Sequence, residues 1–244
     1  MTNTVVDAAI VDAAARGISA VDLRPAPLEG LRIIVPLNAV WDNMEIAVVR
    51  NFEQALDRLT DLGVWVERRR LTALDDVLAL GAQHGTLVAI EAFRTHRQLL
   101  STMSSQRLDP RVRTRLNAGA IIDPQAEKKI RDGRLDLTNV LSVILDERTF
   151  IAYPTVPLVA PLTAPLEEDD DLFVRINRLM LRNTMIGSFL GWCGISIPNG
   201  TGNFGLPTGF LLSGGPGLDS ELLAAAMAME PAIRGSFTAQ AFDA

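Results

Sequence analysis

The sequence predicts an α/β fold, rich in helix, with five or so strands. Three observations predict it. Residues 31–68 read strand, helix, strand, the order of a βαβ unit. Short apolar runs bounded by proline or glycine recur near 150–154, 195–200 and 206–215. Between them lie longer stretches whose apolar residues repeat at helical spacing.

Taken in order, residues 4–16 read as a helix. Val5, Ala8, Ala9, Val11 and Ala15 form its apolar stripe, and Gly17 ends it. LRIIVP at 31–36 is a strand stopped by Pro36. Asp42 and Glu45 have the spacing of a capping box. The helix they open places Ile46, Val49, Phe52, Leu56, Leu59 and Leu62 on one face, and Gly63 closes it. VWVER at 64–68 is the next strand, and 74–101 forms one or two helices. Asp109-Pro110 and Asp123-Pro124 each pair an N-cap with a proline at the first helical position. Their helices reach about Asn117 and Asp146. FIAYP at 150–154 is a strand leading into a proline-rich loop, and acidic residues 167–171 open a helix to about Gly191. ISIPNG and LPTGFLLSGG are strands. Asp219 caps a last helix over 220–230, and the tail after Pro231, 236–244 above all, is expected to fray.

Composition narrows the function classes. The chain has 244 residues and a formal net charge of −6, which argues against a nucleic-acid binder with its basic patch. Lysine occurs only at Lys128 and Lys129, so any lysine chemistry must use that adjacent pair. The single cysteine, Cys193, permits no intrachain disulfide, which fits a reducing cytoplasm. The first residues lack the basic region of a signal peptide. No apolar run is long enough for a membrane span.

Individual residues nominate no chemistry. GTGNFG at 200–205 spells the dinucleotide glycine motif, but a strand follows where that motif needs a helix. The better reading is a glycine-rich hairpin connection. His84 and His96 are the only histidines, and helical spacing puts them roughly 120° apart, too divergent for one metal. Cys193 lies in the apolar segment GWCGISIP with no local base, as a buried structural thiol would. Ser104 and Ser105 sit in a polar loop without a nucleophile elbow. Lys128 and Lys129 lie among charges on a solvated helix face. The acidic run favours a helix N-terminus through the dipole.

The order of segments is more telling. MTNTVVDAAIVDAA resembles the stretch after the catalytic motif of amidase-signature enzymes, a phrase like M-x-x-[ST]-V-x-D-A-A. PAPLEGLRIIVP is similar to the family's PLxGLRIGVP, and helix 48–62 with VWVER to its ALxxLxxAGAxVV. AYPTVPLVAP at 152–161 resembles APTTPxxAP, and LRNTMIGSFLGWCGISIPNG at 181–200 resembles RNTxxxNFLxxCxxSxPxG. LPTGFLLSGGPGLDSELLAAAMAME is similar to LPVGLMLxGxxGxDxxLLxxAxAxE. The resemblance covers residues 1–235 and reads as the C-terminal half of that fold, a mixed sheet flanked by helices.

What the resemblance implies is hydrolysis of a carboxamide C–N bond without a metal or cofactor. The family's serine nucleophile, second serine in a cis peptide and lysine base all precede this stretch, and G-G-S-S-G-G is absent. No catalytic residue carries over. Part of a substrate pocket does: Thr155 from the APTTP-like loop, and Arg182, Asn183 and Thr184 from the RNT-like segment. Tyr153, Val156, Ser188 and Trp192 depart from the family pattern around them. Thr155 and the 182–184 segment should lie near one another, beside the 200–205 turn. The chain is expected to be an amidase piece inactive alone, a non-catalytic binding module, or one half of a split amidase. Its partners would be a small-molecule amide, an N-terminal-half chain or further copies, with an exposed apolar surface where the rest of the sheet belongs.

Overall fold

The computed structural model describes residues 2–18 and 23–237. Helix α1 (Val5–Ala15) precedes β1 (Arg32–Pro36), α2 (Ile46–Asp61) and β2 (Trp65–Arg69). Helices α3 (Thr72–His84), α4 (Leu87–Leu100), α5 (Pro110–Asn117) and α6 (Pro124–Ser142) lead to β3 (Thr149–Pro154). Then come α7 (Thr163–Glu168), α8 (Asp170–Leu190), the hairpin β4 (Cys193–Thr201) and β5 (Pro207–Gly214), and α9 (Asp219–Arg234).

The strands form one mixed sheet in the order β2-β1-β3-β5-β4. β1 pairs parallel with β2 and β3, while β5 runs antiparallel to β3 and β4. The period-two alternation of a strand sends neighbouring side chains to opposite faces. Ile33 and Val35 on β1, Phe150 and Ala152 on β3, and Phe210 and Leu212 on β5 join α2 and α9 in one core. Ile34, Ile151, Tyr153 and Leu211 join α3, α6 and α8 in the other. Both cores are apolar because each sheet face carries a helix layer, as the mixed-sheet expectation requires.

Local signals hold in most places. Thr4 caps α1 through a capping box with Asp7. Asp109 and Asp123 cap α5 and α6, with proline at the first helical positions. Asp169 Oδ1 accepts from the Leu172 N–H at 2.9 Å and caps α8. Gly191 ends α8 at φ 72°, a left-handed conformation that glycine adopts without steric cost.

Several sequence expectations are corrected. The Asp42–Glu45 capping box does not form: Glu45 is the N-cap of α2 and its side chain makes no capping bond. Tertiary contacts set this start instead. The Glu45 N–H donates to the Pro157 carbonyl at 2.8 Å, and the Asp42 carbonyl accepts from Arg182. The apolar stripe of α2 is shorter than the sequence pattern, for Ile46 is 85% and Leu62 54% exposed. A 16-residue helix runs about 24 Å and overshoots a five-residue strand of about 17 Å, so its ends hang past the sheet. Val48, Phe52, Ala55, Leu56 and Leu59 form the buried face.

The acidic run belongs to two helices, with Glu167 and Glu168 closing α7 and Asp170 and Asp171 opening α8. Asp219 is the first residue of α9 rather than its cap, and α9 continues through Pro231 to Arg234. Pro231 is exposed, so its missing N–H faces solvent. Arg58 holds the turn beyond it, donating to the Ala232 and Ile233 carbonyls. Residues 238–244 of the expected tail lie outside the described residues. Ser104 and Ser105 lie in a 3₁₀ turn over 103–107, not an open loop.

Candidate functional site

The candidate site lies where β3 ends. Tyr153 is wholly buried and points toward α8, so the next outward-facing residue on that side of the strand is Thr155. The Thr155 N–H donates to the Gly209 carbonyl at 2.8 Å, prolonging the β3–β5 pairing by one residue. Its hydroxyl lies 2.6 Å from the Ser196 hydroxyl on β4. On β4, Ile195 and Ile197 face the α9 core, so the intervening Ser196 faces the α8 side. Gly209 lies beneath the pair. A Cβ there would stand 2.7 Å from Thr155 Oγ1 and 2.8 Å from Ser196 Oγ, so only glycine leaves the two hydroxyls in place.

Helix α8 braces this floor. Asn183 is fully buried, and its Nδ2 donates to the Pro154 carbonyl at 2.8 Å. The Tyr153 hydroxyl donates to the Asn183 carbonyl at 3.4 Å. Burial raises the Tyr153 phenol above its ordinary value, so it stays a protonated donor. Arg182 spans from α8 to the loop before α2: Nη1 donates to the Asp42 carbonyl at 2.6 Å, Nη2 to the Val40 carbonyl, and Nε to Asn183 Oδ1 at 3.0 Å. Burial lowers its guanidinium from the ordinary value, and the Asp42 charge opposes that shift.

The four residues singled out by sequence therefore occupy different posts. Thr155 faces open space with Ser196. Asn183 and Arg182 hold the loops that carry Pro154 and Asp42. Thr184 is half-buried on α8 and its hydroxyl returns to the Leu181 carbonyl at 3.2 Å. Thr155 and Thr184 lie on the same side of the sheet, but no bond joins them. Sequence reasoning did not single out Ser196 and Gly209, although they stand at the serine of the resembled SxPxG and the glycine of the resembled LPVG.

Asn183→Ala removes the donor to a buried carbonyl and the acceptor for Arg182 Nε. Leaving buried polar groups unpaired costs ~1–3 kcal/mol. Urea titration should show a destabilisation of about 2 kcal/mol. A midpoint unchanged from the parent would contradict the bracing role.

The remaining chemical groups stand apart. Among the described residues, no set of three His, Cys, Asp or Glu side chains is placed to hold a metal. His84 ends α3, and His96 is exposed on α4. Lys128 pairs with Asp132 on the exposed face of α6. GTGNFG forms the β4–β5 hairpin connection through a short 3₁₀ turn, as the following strand requires. An open depression of about 660 Å³, lined in part by Arg32, Trp65, Asp146 and Arg148, lies at the opposite strand ends. Its Asp146 carboxyl is held below its ordinary value chiefly by the Arg148 backbone N–H.

Cys193 is half-buried, its thiol donating to the Gly215 carbonyl at 3.4 Å. Burial pushes the thiol up to about 11, and the Asp219 charge adds to the effect. Because the folded value lies above the unfolded one, the stabilisation is present below about 9 and is lost as pH rises toward 11. Iodoacetamide should react slowly at pH 7.5 and accelerate up to about pH 11. Rapid labelling at neutral pH in the folded chain would contradict this.

Comparisons place the geometry in a family. The Amidase family model matches residues 1–223. A curated relative, 2-amino-5-chloromuconic acid deaminase of Comamonas testosteroni, is 27% identical over 240 residues, covering 96% of this chain and 50% of its own length. Among solved structures, an amidase superposes with a TM-score of 0.76 at 22% identity, over 94% of this chain and 51% of that one. A glutamyl-tRNA(Gln) amidotransferase subunit from Thermotoga maritima gives 0.67 at 23%, covering 94% and 51%. A bacterial aryl acylamidase of the amidase-signature family gives 0.68 at 20%, covering 96% and 52%. The chain thus spans about half the length of these relatives. No described helix is long and apolar enough to cross a membrane. With the family model running from the first helix into α9, and with this sheet recurring in amidase structures, the chain belongs to the amidase family.

Proposed function

We propose that this chain supplies the substrate-facing wall of an amidase site, for hydrolysis of a carboxamide C–N bond. Residues 1–235 act as one incomplete amidase-signature domain. The observation that supports the reading best is the Thr155–Ser196 hydroxyl pair, 2.6 Å apart over Gly209. A carboxamide offers a carbonyl acceptor and N–H donors. After their mutual bond, two hydroxyls keep one O–H to donate and lone pairs to accept, which matches that pattern. Arg182 and Asn183 position the surrounding loops, and Thr184 borders the site from α8.

The chemistry itself belongs to groups these 244 residues do not include. By the family resemblance, a serine attacks the amide carbonyl while a second serine and a lysine relay its proton to the departing nitrogen. Water then cleaves the acyl-serine ester and returns the proton. Thr155 and Ser196 bond each other and no base among the described residues, which supports a binding role for the pair, in line with the resemblance that puts the nucleophile elsewhere. The cytoplasm is the compartment that suits the single unpaired thiol.

The test is made on the chain assembled with the other half of an amidase fold. Losing one neutral hydrogen bond costs ~1 kcal/mol, so Thr155→Val and Ser196→Ala should each raise KM about 5-fold with little change in kcat. Unchanged KM in both variants would remove the pair from the substrate site.

A further inference from the structure

α2 buries a polar residue in its apolar face. Val48, Phe52, Ala55, Leu56 and Leu59 are buried there, and Asn51 lies among them, 5% exposed. Its Nδ2 donates to the Thr201 carbonyl on β4 and to Thr208 Oγ1 on β5, each at 2.9 Å. Thr208 Oγ1 in turn donates to Asn199 Oδ1 at 2.7 Å. Thr208 and Asn199 are as buried as Asn51, and Asn199 Nδ2 has no partner among the described residues. A buried polar group short of a partner costs stability, a cost that apolar side chains of the same shape would not carry. Stability therefore does not account for three such side chains in this core. Thr208 also stands at the valine of the resembled LPVG, so this chain of bonds departs from the family pattern.

Its place in the fold does account for it. Asn199 is the extra residue of a bulge, for Pro198 pairs with Gly209 and Gly200 pairs with Thr208. Bulges re-aim the strand beside them and recur next to active sites. Ser196 lies three residues before Asn199, and Gly209, which floors the hydroxyl pair, follows Thr208. Gly200 leaves room for the bond, because a Cβ there would stand 2.8 Å from Asn51 Nδ2. The same helix holds the other hydroxyl. The N–H of its N-cap, Glu45, donates to the Pro157 carbonyl, two residues beyond Thr155. Six residues of rigid helix, about 9 Å, separate the two attachments.

We infer that Asn51 is a positioning residue of the candidate site: through Thr208 and Asn199 it sets the β4–β5 hairpin so that Ser196 meets Thr155 over Gly209. The network faces α2, and the hydroxyl pair faces α8, so Asn51 acts through the strands and does not touch substrate. The consequence for substrate rests on the amidase-wall reading above.

The test uses the full chain. Asn51→Leu, Thr208→Val and Asn199→Leu together replace the network with apolar groups of like shape, and the urea midpoint should stay at the parent's or rise. Exchange of the Thr155 amide, read by NMR, should quicken on the order of tenfold, while the amides of 33–35 on β1 keep their rates. Thr208→Val alone should quicken Thr155 exchange, and Thr208→Ser, which keeps the hydroxyl, should not. That pair decides the matter if the triple variant does not unfold cooperatively. Thr155 exchange equal to the parent's in a folded triple variant, or equal in Thr208→Val and Thr208→Ser, overturns the inference. So does equal acceleration at 155 and at 33–35, the mark of a general loss of stability. Substrate is read on the chain assembled with the half of the Comamonas testosteroni deaminase that lies outside its matched stretch. There Thr208→Val should raise KM about 5-fold at near-constant kcat. Turnover with unchanged KM also overturns the inference. No turnover from any assembly, with the exchange differences intact, sinks the amidase reading and leaves the positioning of the pair standing.

Discussion

The purified chain alone is expected to release no ammonia or amine from a carboxamide above the rate without protein. Its candidate nucleophiles all lack a base. The Cys193 thiol is pushed up to about 11 by burial, far from the thiolate that amide attack needs. Thr155 and Ser196 are hydrogen-bonded to each other, with no histidine, lysine or carboxylate bonded to either among the described residues. Lys128 is exposed and paired with Asp132, away from the hydroxyl pair. In a comparable hydrolase, removing the nucleophile or base costs on the order of 10⁶ in rate. Ammonia release measured with a coupled assay should therefore stay at background across a panel of primary carboxamides. Turnover that copurifies with the chain and falls on Thr155→Val would show that the lone chain has a complete site.

The largest stability effect is expected at Phe52. Its ring is inaccessible to solvent, stacked on Phe210 at 4.8 Å between centroids and set edge-on to Trp41 at 5.7 Å. It joins α2 to β5 in the core that also holds α9. Phe→Ala in such a position costs ~3–5 kcal/mol, because the transfer term and the cavity add. That is a large part of the ~5–15 kcal/mol that holds a domain folded. Urea denaturation should place Phe52→Ala about 4 kcal/mol below the parent. Leu62→Ala, on the same helix but 54% exposed, should stay within about 0.5 kcal/mol. Equal losses at the two positions would mean that α2 packs along the face its sequence pattern suggested.

That pair of residues also marks how far sequence carries. Phe52, Leu56 and Leu59 lie at helical spacing and are buried, so the centre of α2 was legible from periodicity alone. Ile46 and Leu62 continue the same period, yet they overhang the sheet, and no local rule encodes where a partner strand ends. The caps at Asp109 and Asp123 were readable because a short side chain bonds its own helix. The Asp42–Glu45 pair met the same rule but lost to long-range bonds from Pro157 and Arg182. Strand order was not legible, since the parallel β1–β3 pairing joins residues more than a hundred positions apart.

In the candidate site, Thr155 was taken from a resembled motif, while Ser196, which stands at the serine of the resembled SxPxG, was not singled out. The hydroxyl pair exists only because the β3–β5–β4 register aligns two strands around Gly209. The resembled RNT segment placed Arg182 in the substrate pocket. Its guanidinium instead bonds three backbone and side-chain oxygens, a bracing role that one sequence position cannot announce.

The most direct measurement is ammonia release from primary carboxamides by an equimolar mixture of this chain and the complementary half of the deaminase relative. Each polypeptide is assayed alone beside the mixture. The account predicts turnover from the mixture only, reduced by Thr155→Val. Turnover by the chain alone, or none from a mixture shown by light scattering to form a one-to-one complex, would contradict it.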